Sequence, residues 1–237
     1  MKELEDSHLF PSVLRDGQTG FIGRFALLTG IYKPFIKLLK EQKFARAIMH
    51  DLCTGSGQPA IDIFNQSRKF EQLILSDKFP YEFESQDTKI RYLSTPVDVL
   101  NMQFEPDTCY TMFNAFHHFD DNDKLAITER IIKAGSEAYF VEILEPSPQT
   151  FFKVMLSTLT CPLLLTPFIG PFRLNTFIFT YLIPINLITI PFDGIVSVTK
   201  SLSHRRYKML FAGFKEKVNV IRLTNIAGPS IVIKIQS

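Results

Sequence analysis

Tryptophan is absent from this sequence, cysteine occurs three times, and no dense run of lysine or arginine is present. Cys53, Cys109 and Cys161 form an odd, widely spaced set, which requires neither a disulfide framework nor a cysteine zinc site. A reducing cytoplasmic location is the expectation. The formal net charge is only +2, so the electrostatic footprint of a nucleic-acid binder is missing and no nucleic-acid partner is expected. The opening stretch "MKELEDSHLF" is acidic and has no apolar h-region, which argues against a cleaved secretory signal. Phenylalanine, by contrast, occurs 23 times, much of it late in the chain. With 46% hydrophobic and 21% charged residues over 237 positions, the composition suits a single globular domain with a sizeable core.

The first 45 residues read as a helical cap, with apolar positions at Phe21, Phe25, Leu28, Tyr32, Phe35 and Leu39, broken near Gly30 and Pro34. From residue 46 to 144, short apolar runs alternate with helix-like stretches, the pattern of an α/β fold with a parallel sheet. The predicted strands are "AIMHD", "QLILSD", "IRYLSTPVD", "TCYTMFN" and "AYFVEIL". Residues 145–217 form an apolar, irregular region. Residues 218–237 read as two strands around "IAGP", too tightly linked to be anything but an antiparallel hairpin.

The stretch "HDLCTGSGQPAID" places two glycines one residue apart between a strand and a helix, a loop suited to close backbone approach to a ligand. Gly55-Ser56-Gly57-Gln58-Pro59-Ala60 fits G-x-G-x-x-A, and Asp77 follows about twenty residues on, as a dinucleotide site requires. No Lys-Ser or Lys-Thr pair closes the loop, so a Walker phosphate site is excluded. Asp51 precedes the loop, where a pyrophosphate would meet a negative charge and a cationic ligand a favourable one. Asp77 and Asp98 end the next two predicted strands, facing the crevice where open α/β sheets bind ligands. Each of these acids would also suit a turn or a helix cap. A nicotinamide-dependent reductase therefore stays open beside a site for S-adenosylmethionine.

Residues 46–144 with the closing hairpin resemble the class I S-adenosylmethionine-dependent methyltransferases. "DLCTGSG" matches the first motif of that family, except that Cys53 stands in the first glycine position; the substitution leads us to expect no positive φ there. The resemblance implies a Rossmann-like seven-stranded sheet, mostly parallel, with an antiparallel terminal hairpin, N-terminal helices and an apolar insertion between strands 5 and 6. It implies that Asp51 and Gly55 to Gly57 face the methionine part of S-adenosylmethionine, Asp77 the ribose, Asp98 and Val99 the adenine, that Cys53, Thr54 and Lys78 also belong to the cofactor site, and that Asn114 lies beside the transferable methyl.

His117 and His118 follow Asn114 and are the candidate catalytic residues, since a neutral imidazole suits proton removal near neutral pH. As an adjacent pair with no third ligand at helical spacing, they imply no metal. Between Lys153 and Asp193 the one charged residue is Arg173. Each apolar half is nearly long enough to span a bilayer, yet Pro162, Pro167, Pro171, Pro184 and Pro191 would interrupt helices. We therefore expect a folded lid over the strand C-termini and a small, hydrophobic acceptor, with peripheral membrane contact as the alternative use of this segment. A non-catalytic docking module is the second functional reading. The oligomeric state has no signal here.

Overall fold

The computed structural model describes residues 3–42, 47–83, 85–168 and 174–236. The predicted boundary at residue 46, together with Pro171 and Arg173, lies outside them. Helix α1 (Ser12–Thr29) stops at Gly30, whose φ of 61° places it in the left-handed region that glycine enters without a Cβ clash. Helix α2 (Lys33–Glu41) restarts with Pro34 in its first turn, where a missing N–H costs nothing. It buries Phe35, Ile36 and Leu39.

The sheet comprises β1 (Ile48–Leu52), β2 (Gln72–Ser76), β3 (Ile90–Tyr92), β4 (Thr108–Phe113), β5 (Glu137–Glu142), β6 (Val218–Asn225) and β7 (Gly228–Ile235). Its order is β3-β2-β1-β4-β5-β7-β6. The first five strands run parallel, and β7 slots antiparallel between β5 and β6. Ile226 and Ala227 alone form the hairpin turn, because Gly228 and Pro229 already pair in β7. Alternate residues of each central strand are buried on opposite faces, as expected for a sheet covered on both sides. Met49, Leu73, Leu75, Tyr139, Val141 and Val232 pack with α2 and α3 (Ala60–Ser67). Tyr110, Met112, Phe140, Ile231 and Ile233 pack with Ile127 and Ile131 of α4 (Asp121–Lys133) and with Tyr207 of α8 (His204–Leu210).

Three expectations are corrected here. The third strand is far shorter than "IRYLSTPVD": it ends at Tyr92, so Asp98 lies beyond it in a turn. Pro96 has no N–H for a ladder, and the Asp98 carboxylate accepts the Leu100 N–H at 3.0 Å, closing that turn. The region 145–217 is helical where described, with α5 (Pro148–Leu165), α6 (Leu174–Phe177), a π-helical turn (Ile178–Leu182) and α7 (Asn186–Lys200). Pro162 and Pro191 sit inside α5 and α7 without ending them, since packing between these two helices outweighs one lost hydrogen bond in each.

No single helix among the described residues is long and apolar enough to cross a membrane; α6 with its π turn and α7 together meet the length, but they bend by 92°. Half of the residues that α7 buries are polar. Gln18 of α1 donates to Asn186 Oδ1 and Thr189 Oγ1, Asn186 donates to Thr180 Oγ1, and Asp193 accepts the Leu4 N–H at 2.6 Å. α7 also packs against the short helical turn Phe116–His118 that follows β4.

Candidate active site

The sheet order reverses direction between β1 and β4, and the C-terminal ends of those strands open the crevice that such sheets use for ligands. Asp51 of β1 and Thr111 of β4 are register partners at this point. The Thr111 hydroxyl donates to Asp51 Oδ1 at 2.6 Å. Asp51 is 2% exposed, and burial pushes its pKa up to about 7, with the Thr111 hydrogen bond pulling the other way. A carboxylate in such surroundings is about half-ionised at neutral pH, and an arriving cation draws it fully into the charged form.

The glycine loop follows directly. Gly55 and Gly57 have φ of 53° and 85°, and a Cβ on Gly57 would stand 3.0 Å from Ile61 Cδ1 and 3.1 Å from Leu75 Cδ1. Cys53, expected to have negative φ, has φ of 54°. The tight turn out of β1 requires the left-handed region at this position whatever residue occupies it, so cysteine carries a cost of about 1 kcal/mol that glycine would avoid. The Cys53 thiol is pushed well up by burial. It is no nucleophile at neutral pH.

Asp77 sits one residue past β2 and holds the loop in shape. Its Oδ2 accepts the Gly55 N–H at 2.8 Å and its Oδ1 the Phe79 N–H at 2.9 Å. Burial raises its pKa while these two hydrogen bonds oppose the rise. Each oxygen keeps a second lone pair. Tyr92 of β3 closes the opposite side, donating its hydroxyl to Gly55 O at 2.8 Å. Lys78 reaches Asp98 at 3.3 Å, an exposed pair at the rim. Val99 is 3% exposed and packed in the core, so its side chain does not face the crevice. Asn114 has φ of 53°; its N–H donates to Val141 O at 2.7 Å and its Oδ1 accepts the Ile143 N–H. Its amide side chain therefore locks the ends of β4 and β5 together.

The two histidines differ sharply. His117 has a fully buried side chain, with Nδ1 2.7 Å from Glu142 Oε2, while Glu142 Oε1 accepts the Phe116 N–H at 2.8 Å. Burial disfavours its charged form, but Glu142 and Glu3 outweigh that and raise its pKa to about 10. His118 is 21% exposed, and its Nδ1 lies 3.0 Å from Asp6. Sequence reasoning passed over Glu3 and Asp6, which meet this pair, and Lys200, which meets both of those carboxylates, because no spacing links the N-terminus to residues 117 and 118. Glu142 lay in a predicted strand and was the one partner within reach of pattern reading.

Helix α1 lies over the loop. Ser56 Oγ donates to Thr19 O at 3.3 Å, and a Cβ on Gly23 would stand 2.7 Å from Gln58 Cβ. Beside it, an open cavity of about 370 Å³ is lined by Val13, Asp16 and Gly17 of α1, by Tyr81 and Glu82, and by residues of α6.

No family model and no curated protein sequence matches this chain. Solved structures do. The mitomycin 7-O-methyltransferase MmcR is 16% identical over 90% of this chain, with a TM-score of 0.52, and the chain spans 56% of that protein's length. The plantazolicin methyltransferase BpumL, in complex with a monoazolic desmethylPZN analog and SAH, is 13% identical, covering 95% of this chain and 88% of its own, with a TM-score of 0.54. A putative methyltransferase from Haloferax volcanii, in complex with the Trm112 methyltransferase activator, is 12% identical, covering 92% and 93%, also at 0.54. At these identities the likeness is one of fold, and it agrees with the strand order, the glycine loop and the reversed seventh strand: this chain has the class I S-adenosylmethionine-dependent methyltransferase fold.

Proposed function

We propose that the protein transfers the methyl group of S-adenosylmethionine to a small lipophilic or aromatic acceptor. The observation that carries this reading is Asp51, a carboxylate buried at the switch point beside a positive-φ glycine loop and held half-neutral near pH 7. Such a site welcomes an ammonium or sulfonium and repels a pyrophosphate, which sets the nicotinamide reading aside. The residues present fit the cofactor: Asp51 and the Thr54–Gly57 backbone would hold the methionine part, the remaining lone pairs of Asp77 the ribose hydroxyls, and the Asp98 turn the adenine. When bound, S-adenosylmethionine supplies an electrophilic methyl. The chain's own contribution is to hold the acceptor in line, exclude water and manage its proton at the His117–His118 cluster, so most of the acceleration comes from proximity and orientation. MmcR and BpumL are named for natural-product substrates, which supports a small acceptor for the shared fold.

Calorimetric titration of the purified protein with S-adenosylmethionine, SAH and NADH tests the cofactor. We expect the two adenosyl ligands to bind and NADH not to, with Asp77→Asn, which keeps one acceptor oxygen for the loop, binding roughly tenfold more weakly or worse. Binding of NADH alone, or of nothing by well-folded protein, would sink the proposal.

One observation favours a second reading, a module that docks on a membrane. Phe152, Leu156, Leu159 and Leu163 form an exposed stripe along α5, followed by Leu164 and Phe168. We place the protein in the cytoplasm, with this stripe as its membrane contact. Co-sedimentation with liposomes that is lost in a Phe152→Ser, Leu156→Ser double variant, without any methyl transfer by the intact protein, would establish docking as the function.

A further inference from the structure

Glu3, His117 and His118 are the one group among the described residues in which at least three histidine, cysteine or acidic donors gather closely enough to hold a metal ion, their donor atoms all lying within 4.8 Å of one another. Neither the fold nor the methyl-transfer chemistry calls for such a group. His117 Nε2 and Glu3 Oε1 are buried and have no hydrogen-bond partner. They face each other at 3.5 Å, as do His118 Nε2 and Glu3 Oε2. That distance is too long for a good hydrogen bond. Each separation, one from either Glu3 oxygen, is close to the donor–donor spacing of about 3.4 Å across a metal ion with ligand bonds of about 2.1 Å.

The outer partners are those a metal site uses. His117 Nδ1 lies 2.7 Å from Glu142 and His118 Nδ1 3.0 Å from Asp6, so both rings are fixed by carboxylates at Nδ1 and turn Nε2 toward Glu3. Carboxylate–histidine pairs of this kind set the tautomer and orientation of metal-ligating imidazoles. Charge points the same way. Glu3, Asp6 and Glu142 bring three negative charges to the cluster, while Lys200, 3.5 Å from both Glu3 Oε1 and Asp6 Oδ2, brings one positive. The N-terminal segment is pinned in place for the purpose, since Arg15 donates to Glu5 O and Ser7 O while Asp193 accepts from Leu4 N–H.

We propose that Glu3, His117 and His118 form a binding site for a divalent cation of the zinc class, two imidazoles and one carboxylate leaving a position open for water or an acceptor oxygen. Its use in the reaction, to polarise an acceptor hydroxyl, rests on the methyl-transfer reading; its existence does not. The test is therefore made without cofactor or acceptor. Untagged protein, stripped with a chelator, is titrated with Co2+ while visible absorption is followed, and Zn2+ is then used to displace it. We expect one Co2+ per chain with a tetrahedral spectrum bleached by Zn2+, binding at least tenfold weaker in Glu3→Gln and in His118→Ala, and tighter binding in Lys200→Met, where the competing cation is gone. Glu3→Gln is isosteric, which guards against a variant that merely misfolds. Absence of saturable binding, or equal affinity in all four proteins, overturns the site. Methyl transfer without metal binding, or binding without transfer, would decide the two proposals separately.

Discussion

Replacing Asp51 by asparagine isolates the electrostatic character of the crevice. In the folded chain burial lifts the Asp51 pKa from 3.8 to about 7. At 1.36 kcal/mol per unit, that rise corresponds to about 4 kcal/mol. The sign follows from proton binding: between pH 4 and 7 the unfolded chain has released this proton while the folded chain retains it, so the contribution of Asp51 to stability falls as pH rises. Above pH 7 both states are ionised and the full penalty remains. Asparagine carries no proton, and its Oδ1 still accepts the Thr111 hydroxyl. His50, whose pKa burial lowers to about 4, gives the opposite slope between pH 4 and 6.5, but it does so in both proteins and cancels in their difference. Urea unfolding of both proteins at about pH 4.5 and 7.5 should therefore show the variant gaining about 3 kcal/mol on the wild type between the two. A difference that stays constant with pH would mean that Asp51 is ionised throughout in the folded chain, and the cation-seeking crevice would lose its foundation.

Two more outcomes follow from the same geometry. Gly23→Ala should destabilise by about 1–2 kcal/mol although alanine favours helices, because its Cβ would meet Gln58 at 2.7 Å and push α1 off the glycine loop; a stabilised variant in denaturant unfolding would refute that packing. Binding of S-adenosylmethionine should release on the order of 0.9 proton near pH 6 and about 0.1 near pH 8 as its ammonium ionises Asp51, measured by calorimetry in buffers of different ionisation enthalpy; equal, negligible release at both would show that Asp51 does not pair with the cofactor.

What the sequence made legible was local. Strand periodicity, the Gly55–Gly57 loop and the tight hairpin link each depend on neighbours a few residues apart, and together they led to the sheet, its reversed strand and the crevice. Asp51 and Asp77 fell where strand ends placed them, whereas Asp98 did not, since the third strand stops at Tyr92 and Asp98 lies in the turn beyond it. Backbone sign was misjudged at Cys53, where turn geometry outranks residue preference. The helical state of α5 to α7 was hidden by the prolines of that region, whose cost is invisible without the packing of α5 on α7, whereas the Ser203-capped helix after them was legible from its pattern. Glu3, Asp6 and Lys200 had no signal at all, because the contacts of Glu3 and Asp6 with His117 and His118, and of Lys200 with those two carboxylates, join distant parts of the chain through the fold.

Those long-range contacts change how the N-terminal residues are to be understood. α1 meets the cofactor side of the crevice through Thr19 and Gly23, which press on Gly55, Ser56 and Gln58. The segment ahead of it meets His117 and His118, where Glu3 and Asp6 complete the histidine cluster. Arg15 ties the two together, bonding back to Glu5, Ser7 and Phe10 from within α1 while its guanidinium lies 4.0 Å over the Phe79 ring just after Asp77. The cap is thus part of the site, and the same thirty residues that shield the glycine loop also supply Glu3, which faces both imidazoles, and Asp6, which fixes that of His118.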